Sequence, residues 1–560
     1  MRSFVLASGA SLLAVFAFAC GDSGTTSSTQ GTSSTGNGGA TTSTGTQSGG
    51  GGSTGAFTGS GGGTTGPSFP GMPILDGDAP IDSADLFGPA GSGDPTGGPC
   101  LVEPELGALL PDNWLRPRFR WEPTAGENLF ELRLHAASEP NDLVVYTTDQ
   151  TYTMEKLLWL AVSAGVVDEP ITVTIRGANF DGTALVGEPS VGSTGPITIA
   201  PVGAPGSIVY WTTSGGSSLK GFQVGDESVI TALTPPQVAM PTNGGPVTCI
   251  GCHTSTPDGL YASFVAQAPW TNALGSIEAA SVGASPPFLG AGASSFLASS
   301  TELGIHSYSK AHWSNGDHVM VTPSGQNSDS ELIWVDLEAT SAAQGTAWGY
   351  LARNGDAVGA GSPTWSHDGN EIVYVSTTSQ FTGRLGAGSA DLYSVPYANR
   401  QGGTATPIPG ASTAEYNEYY PTLSPDDAFI AYNRIPNGSD MYDAAAGEVF
   451  VIPKAGGTPT RILANDPPAC GGKASPGVTN SWPKWAPQAQ LSGGKTYYWM
   501  VFSSRRGETG TPQLYLTGVV VEGSTVTTYP ALYLWNQPPD ESNHTPAWDV
   551  FEIPPVPPPQ

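Results

Sequence analysis

Cys249-Ile250-Gly251-Cys252-His253 is the stretch of this 560-residue chain whose residue types and spacing specify a chemistry. Two thiols three positions apart can each add across a vinyl group of one haem, and the imidazole that follows is placed to bind the iron. C-x-x-C-H therefore reads as a haem c attachment site, with Cys249 and Cys252 as the thioether positions and His253 as the proximal iron ligand. Other chemistries compete for these residues. A zinc ribbon needs a second Cys or His pair at ligand spacing, which the sequence lacks. A thioredoxin-like redox pair needs a βαβ setting, which is also lacking. A Cys249–Cys252 disulfide stays open.

The sixth iron position has two leading candidates, His312 and His544, with His306, Met240 and Met320 behind them and a vacant site as the remaining option. Methionine would raise the potential relative to histidine, and a vacancy would admit ligands or peroxide. Asp258, Asp368 and Asp426 recur beside Gly or Asp in turn positions, where a carboxylate caps local N–H groups. No calcium or zinc site is expected.

The other cysteines divide by position. Arg2 precedes an apolar run from Phe4 to Ala19 that has the anatomy of a secretory signal peptide over residues 1–19. Cys20, directly after Ala17-Phe18-Ala19, resembles the lipidated cysteine of bacterial lipoproteins, and that resemblance implies an outer-membrane lipoprotein on the periplasmic or cell-surface face. Residues 20–98 are mainly Gly, Ser and Thr and read as a disordered tether, since they lack the apolar surface that offsets the entropy of ordering. Gly21-Asp22-Ser23-Gly24 and the G-x-S-x-G of residues 51–55 fall in this tether, where no base can be held against the serine. Cys100 and Cys470 remain as a possible disulfide in an oxidising compartment. A formal charge of −28 with 20 Lys plus Arg argues against nucleic acid as a partner, because binding it requires clustered cations. It also leaves any membrane attachment to the lipid anchor.

The elements that must position the haem motif are strands. Phe119 and Trp121 alternate with Arg118 and Arg120, Leu132 and Leu134 with Glu131 and Arg133, and Ile171, Val173 and Ile175 with Thr172 and Thr174. These short alternating strands over residues 100–202 predict a β-sandwich and resemble a fibronectin type III or immunoglobulin-like module. Over residues 206–553 a repeat follows at roughly forty to sixty residues per copy. Its clearest copy is Pro363-Thr364-Trp365-Ser366-His367-Asp368-Gly369 before Ile372-Val373-Tyr374-Val375. Further copies open at Ala311-His312-Trp313-Ser314, Pro421-Thr422-Leu423-Ser424 and Pro483-Lys484-Trp485.

These P-x-W-S-x-D-G units resemble TolB-like β-propellers, which implies an inner strand, a tight Asp-Gly turn and a second strand in each blade. The expected fold is all-β: a six-bladed propeller, its first and last strands sharing one blade, preceded by the sandwich and followed by a Pro-rich tail, 554–560. Cys252 to Gly259 aligns with the blade opening, so the haem is expected at one mouth of the propeller. The functional expectation is a monomeric envelope lipoprotein that passes electrons to, or senses, a redox partner protein. The alternatives are a non-catalytic propeller binding envelope proteins or glycans, and a haem-dependent peroxidase-like enzyme.

Overall fold

The computed structural model describes residues 67–240, 245–266, 271–300, 302–325, 327–381, 384–551 and 553. Cys20, the 1–19 leader and the 554–560 tail lie outside the described residues. The alternating segments become the strands Arg118–Glu122, Leu129–Ala136 and Pro170–Ala178, whose apolar side chains turn inward. They belong to a two-sheet sandwich. One sheet pairs Cys100–Glu103, Arg118–Glu122 and Thr151–Thr153, and the other has six strands running from Ile74–Asp76 at one edge to Leu109–Leu110 at the opposite one. Trp121 and Phe130, both almost fully buried, meet edge-on between the sheets at 5.5 Å.

Residues 67–98 depart from the expected tether: they are built onto the sandwich. Ile74–Asp76 adds in parallel to Leu143–Thr147, Phe69 and Phe87 are buried, and Glu139 accepts hydrogen bonds from the amides of Ser68 and Phe69. Arg176 explains the rest. Its guanidinium is buried against Glu131 at 2.7 Å and donates to the carbonyls of Phe87 (3.2 Å) and Ser92 (3.0 Å). The segment thus supplies acceptors that a buried cation requires. Burial pushes the Glu131 carboxyl up, but Arg176 and Arg133 outweigh it and hold it below the usual carboxylate range.

The described residues from Ser207 onward form a β-propeller, a succession of antiparallel sheets numbered here 1 to 6 in chain order. Their inner strands are Asn543–Asp549, Ile250–Ser255, Ser307–Tyr308, Gly359–Trp365, Tyr416–Leu423 and Ser481–Trp485. Asn543–Asp549 comes from the end of the chain and pairs with Ser207–Thr212, the first strand of this region, placing Ile208 opposite Trp548 and Val209 opposite Ala547. In sheets 2, 4 and 5 the turn after the inner strand is the same device. A Ser or Thr hydroxyl and a backbone N–H converge on one aspartate, as at Ser366–Asp368–Asn370. Gly259 and Gly369 then take positive φ (76° and 82°), and a Cβ at Gly259 would collide with the Val550 carbonyl oxygen at 2.2 Å.

The third copy is corrected. Residues 311–316 do not open an inner strand: Lys310–Ser314 is a short helix, capped by Ser309 accepting from the His312 amide. The inner strand is Ser307–Tyr308, paired with Met320 and Val321. Trp313 leaves the repeat position and donates its indole N–H to Asp258 of the neighbouring turn (3.1 Å).

Sandwich and propeller share one apolar core, in which Leu109, Leu110 and Trp114 pack with Tyr210, Trp499 and Leu516. A disulfide joins Cys100 to Cys470 across 370 residues of sequence, with Cα atoms 5.8 Å apart. Arg176→Leu leaves Glu131 buried without its main partner and is expected to cost about 3–5 kcal/mol of unfolding free energy. Denaturant titration checks the loss, and faster proteolysis within residues 67–98 checks that this segment is what Arg176 pins.

Candidate functional site

The inner strands explain where the C-x-x-C-H residues go. In sheets 4, 5 and 6 the pairing skips a residue at the proline of the repeat, which has no N–H for the ladder. The register breaks between Gly361 and Thr364, Tyr419 and Thr422, and Ser481 and Lys484. In sheet 2 His253 stands where the others have proline. Having an N–H, it pairs with Phe264, and the break moves to Gly251 and Cys252.

Cys249, Cys252 and His253 consequently serve different neighbours. Cys249 is buried, its Sγ 3.7 Å from Ser217 Oγ, and Ser217 Oγ also accepts from the Ile250 amide at 3.0 Å. Cys252 packs into the apolar cluster containing Tyr420 and Trp482, whose rings stack at 3.6 Å. Burial pushes its thiol up to about 12, so it is no thiolate nucleophile at neutral pH. His253 turns to sheet 1, where Nε2–H donates to the Val209 carbonyl at 3.2 Å and Nδ1 has no partner. Burial lowers it to about 4, so the ring is neutral.

A haem c requires both sulfurs and the imidazole to face one macrocycle. In this extended segment Cys252 and His253 are consecutive strand residues with different surroundings, and the nitrogen remote from the ring's Cβ carries the proton given to Val209. In this arrangement the three residues do not fit the group.

A polar cluster forms instead where the inner strands meet. Cys252 lies close enough to Lys484 and to Tyr420 to act on the charge of each. Lys484 and His544 are touched by water yet surrounded by protein, and burial brings Lys484 down to about 8 and His544 to about 4, the latter despite Asp443. The His544 ring lies against Trp211 at 4.5 Å and near enough to His253 to affect its charge. Lys484 escaped the sequence reading, although it sits in the middle of the repeat unit Pro483-Lys484-Trp485.

The other candidates lie elsewhere. His312 is in the short helix with both nitrogens engaged, Nδ1 by Asp317 (2.8 Å) and Nε2 by the Gly369 carbonyl (3.1 Å). His306 is buried and lowered to about 3, and Met240 and Met320 are core residues. No group of three or more potential metal-ligating side chains occurs among the described residues.

No protein-family model and no curated protein sequence matches the chain. Solved structures similar to it include a putative TolB from Agrobacterium tumefaciens, at 15% identity and TM-score 0.33 over 61% of this chain and 97% of that one. A chain of a nidogen/laminin complex matches at 7% identity and TM-score 0.32 over 61% and 98%. A puromycin-hydrolysing peptidase from Mycobacterium tuberculosis matches at 12% identity and TM-score 0.28 over 65% and 52%.

The depressed groups act in the same direction, stability rising with pH, but over different pH windows. His253, His306 and His544 titrate below the 6.5 of an unperturbed histidine, so the unfolded chain binds their protons first and stability falls as pH drops from about 6.5 towards 4. His544→Phe is expected to flatten part of that acid limb. For Lys484 the cost of charging is present below 8 and disappears as pH rises towards the ordinary 10.5. Lys484→Met should raise the melting temperature at pH 7, by an amount that shrinks above pH 8. Thermal unfolding across pH reads both.

Proposed function

We propose that this chain is a non-enzymatic binding protein of the cell envelope, built on a closed six-bladed propeller of the TolB-like kind with a fibronectin-like sandwich fixed to it. The observation that carries the reading is the hydrogen bond from His253 to the Val209 carbonyl, with Cys252 packed against the opposite inner strands. The residues that looked like a redox site hold neighbouring sheets together. The pairing of the last strand with the first supports ring closure. The leader, Cys20 and the Cys100–Cys470 disulfide support an oxidising, extracytoplasmic address and a lipid anchor in the outer membrane. The partner is an envelope protein or a glycan, met by a body whose two domains do not move apart.

Expression beside a cytochrome c maturation system tests this against the electron-transfer and peroxidase alternatives. The purified protein is expected to show no Soret band and the mass of its polypeptide without haem. His253→Leu is expected to lose about 1–3 kcal/mol of stability, because the buried hydrogen bond to the Val209 carbonyl is lost. Covalent haem that survives a denaturing gel and vanishes in Cys252→Ser would overturn the reading.

A further inference from the structure

A cavity of about 340 Å³ opens between the sandwich and sheet 6, at the kind of domain junction where small-ligand sites concentrate and near the lower end of their size range. One wall is the outward face of the sandwich strand carrying Arg118 and Arg120. A second is the loop through Pro468 and Lys473, tied to the sandwich by the Cys100–Cys470 disulfide, and the third is sheet 6 with Tyr515 and Tyr533. The disulfide tethers the second wall to the first.

One side chain in it is incompletely satisfied. Glu103 is 6% exposed, and its Oε2 accepts from Arg118 Nε (3.0 Å) and Nη2 (2.6 Å), while Oε1 is buried with no partner. Burial raises this carboxyl in spite of Arg118 and Arg120, as expected of a carboxylate short of donors. A buried acceptor left open costs stability unless something supplies a hydrogen. Glu105, on the same wall, has a donor on each oxygen, Arg506 (2.8 Å) and the Ala531 amide (3.2 Å), although burial still brings it up to about 7.

The chemistry of the missing donor follows from the lining. Its carboxylates are Glu103, Glu105, Glu122 and Glu508, and its cations are Arg118, Arg120, Lys473 and Arg506. The formal count is four of each sign, but burial raises Glu103 and brings Glu105 up to about 7, so the two buried carboxyls accept hydrogen bonds and, when protonated, also donate them. Donors and acceptors alternate at close quarters, a pattern met by hydroxyl groups, each of which both donates and accepts. Tyr533, whose hydroxyl donates to Gln513 at 2.9 Å, adds an aromatic surface 5.4 Å from the Tyr515 ring.

We propose that this cavity binds a neutral saccharide, with Glu103 Oε1 accepting from ring hydroxyls and Tyr533 packing against the sugar's C–H face. The proposal rests on the binding-protein reading and gives it a site and a ligand class.

Calorimetric titration of the full chain with D-glucose, D-galactose, maltose and cellobiose tests it. At least one is expected to bind at millimolar or lower concentration, and glucosamine and glucuronate, which add one charge to the same ring, no tighter. Glu103→Gln, similar in size but without the charge-assisted acceptor, should weaken binding about tenfold or more. Tyr533→Ala, which also removes the ring beneath the Arg118 guanidinium (5.5 Å), should weaken it as well. The proposal fails if folded protein binds none of the four, if either charged sugar binds tighter, or if both variants bind like the parent. A colourless protein that binds no sugar sinks this proposal alone, whereas covalent haem sinks the earlier reading whatever the sugars do.

Discussion

At four inner strands the chain places a left-handed residue immediately before a proline: Ser362, Tyr420, Trp482 and Thr545, with φ between 39° and 59°. Such backbone is costly for residues other than glycine, on the order of 1–3 kcal/mol each, and its recurrence at one place in the repeat shows that the sheets depend on it. Proline cannot donate to the ladder, so the strand must bulge there, and the bulge adds twist. Twist at these inner strands lets successive sheets fan around one another and places the bulged residue beside the neighbouring inner strands. Tyr420 and Trp482 stack their rings there.

Sheet 2 departs from this rule. With His253 in place of proline the bulge moves one residue back, and neither Gly251 nor Cys252 takes the left-handed conformation. The imidazole does the work of a linker, reaching the Val209 carbonyl of the adjacent sheet. This also shows where sequence reading stops. Spacing of C-x-x-C-H is the same whether the residues curl around a macrocycle or lie along a strand, so spacing alone does not separate the two. The repeat itself was legible because its turn needs Asp and Gly at fixed offsets. The third inner strand was not, because Trp313 kept the residue type while Ser309 capped a helix.

Residues 67–98 make the same point at longer range. The local signal for order in this Gly- and Pro-rich run is confined to a few apolar residues, Phe69, Ile74, Leu75 and Leu86-Phe87. The demand comes from Arg176, about a hundred residues on, whose buried guanidinium has more donors than Glu131 can satisfy. The junction cavity was likewise invisible in sequence, since Glu103, Arg118 and Tyr533 come from three separate strands. Only the outward alternation of Arg118 and Arg120 hinted that this sandwich face meets something polar.

The pairing of Ser207–Thr212 with Asn543–Asp549 has a consequence for biogenesis. Ser207–Thr212 is made early, and its partner, the last of the described strands, leaves the ribosome long after it. Until then its edge carries the row of unpaired amides and carbonyls that recruits neighbouring chains. A protein that completes its first sheet with a strand from the far end of the fold spends synthesis with an open edge, and its yield depends on how well that edge is shielded while the chain is incomplete.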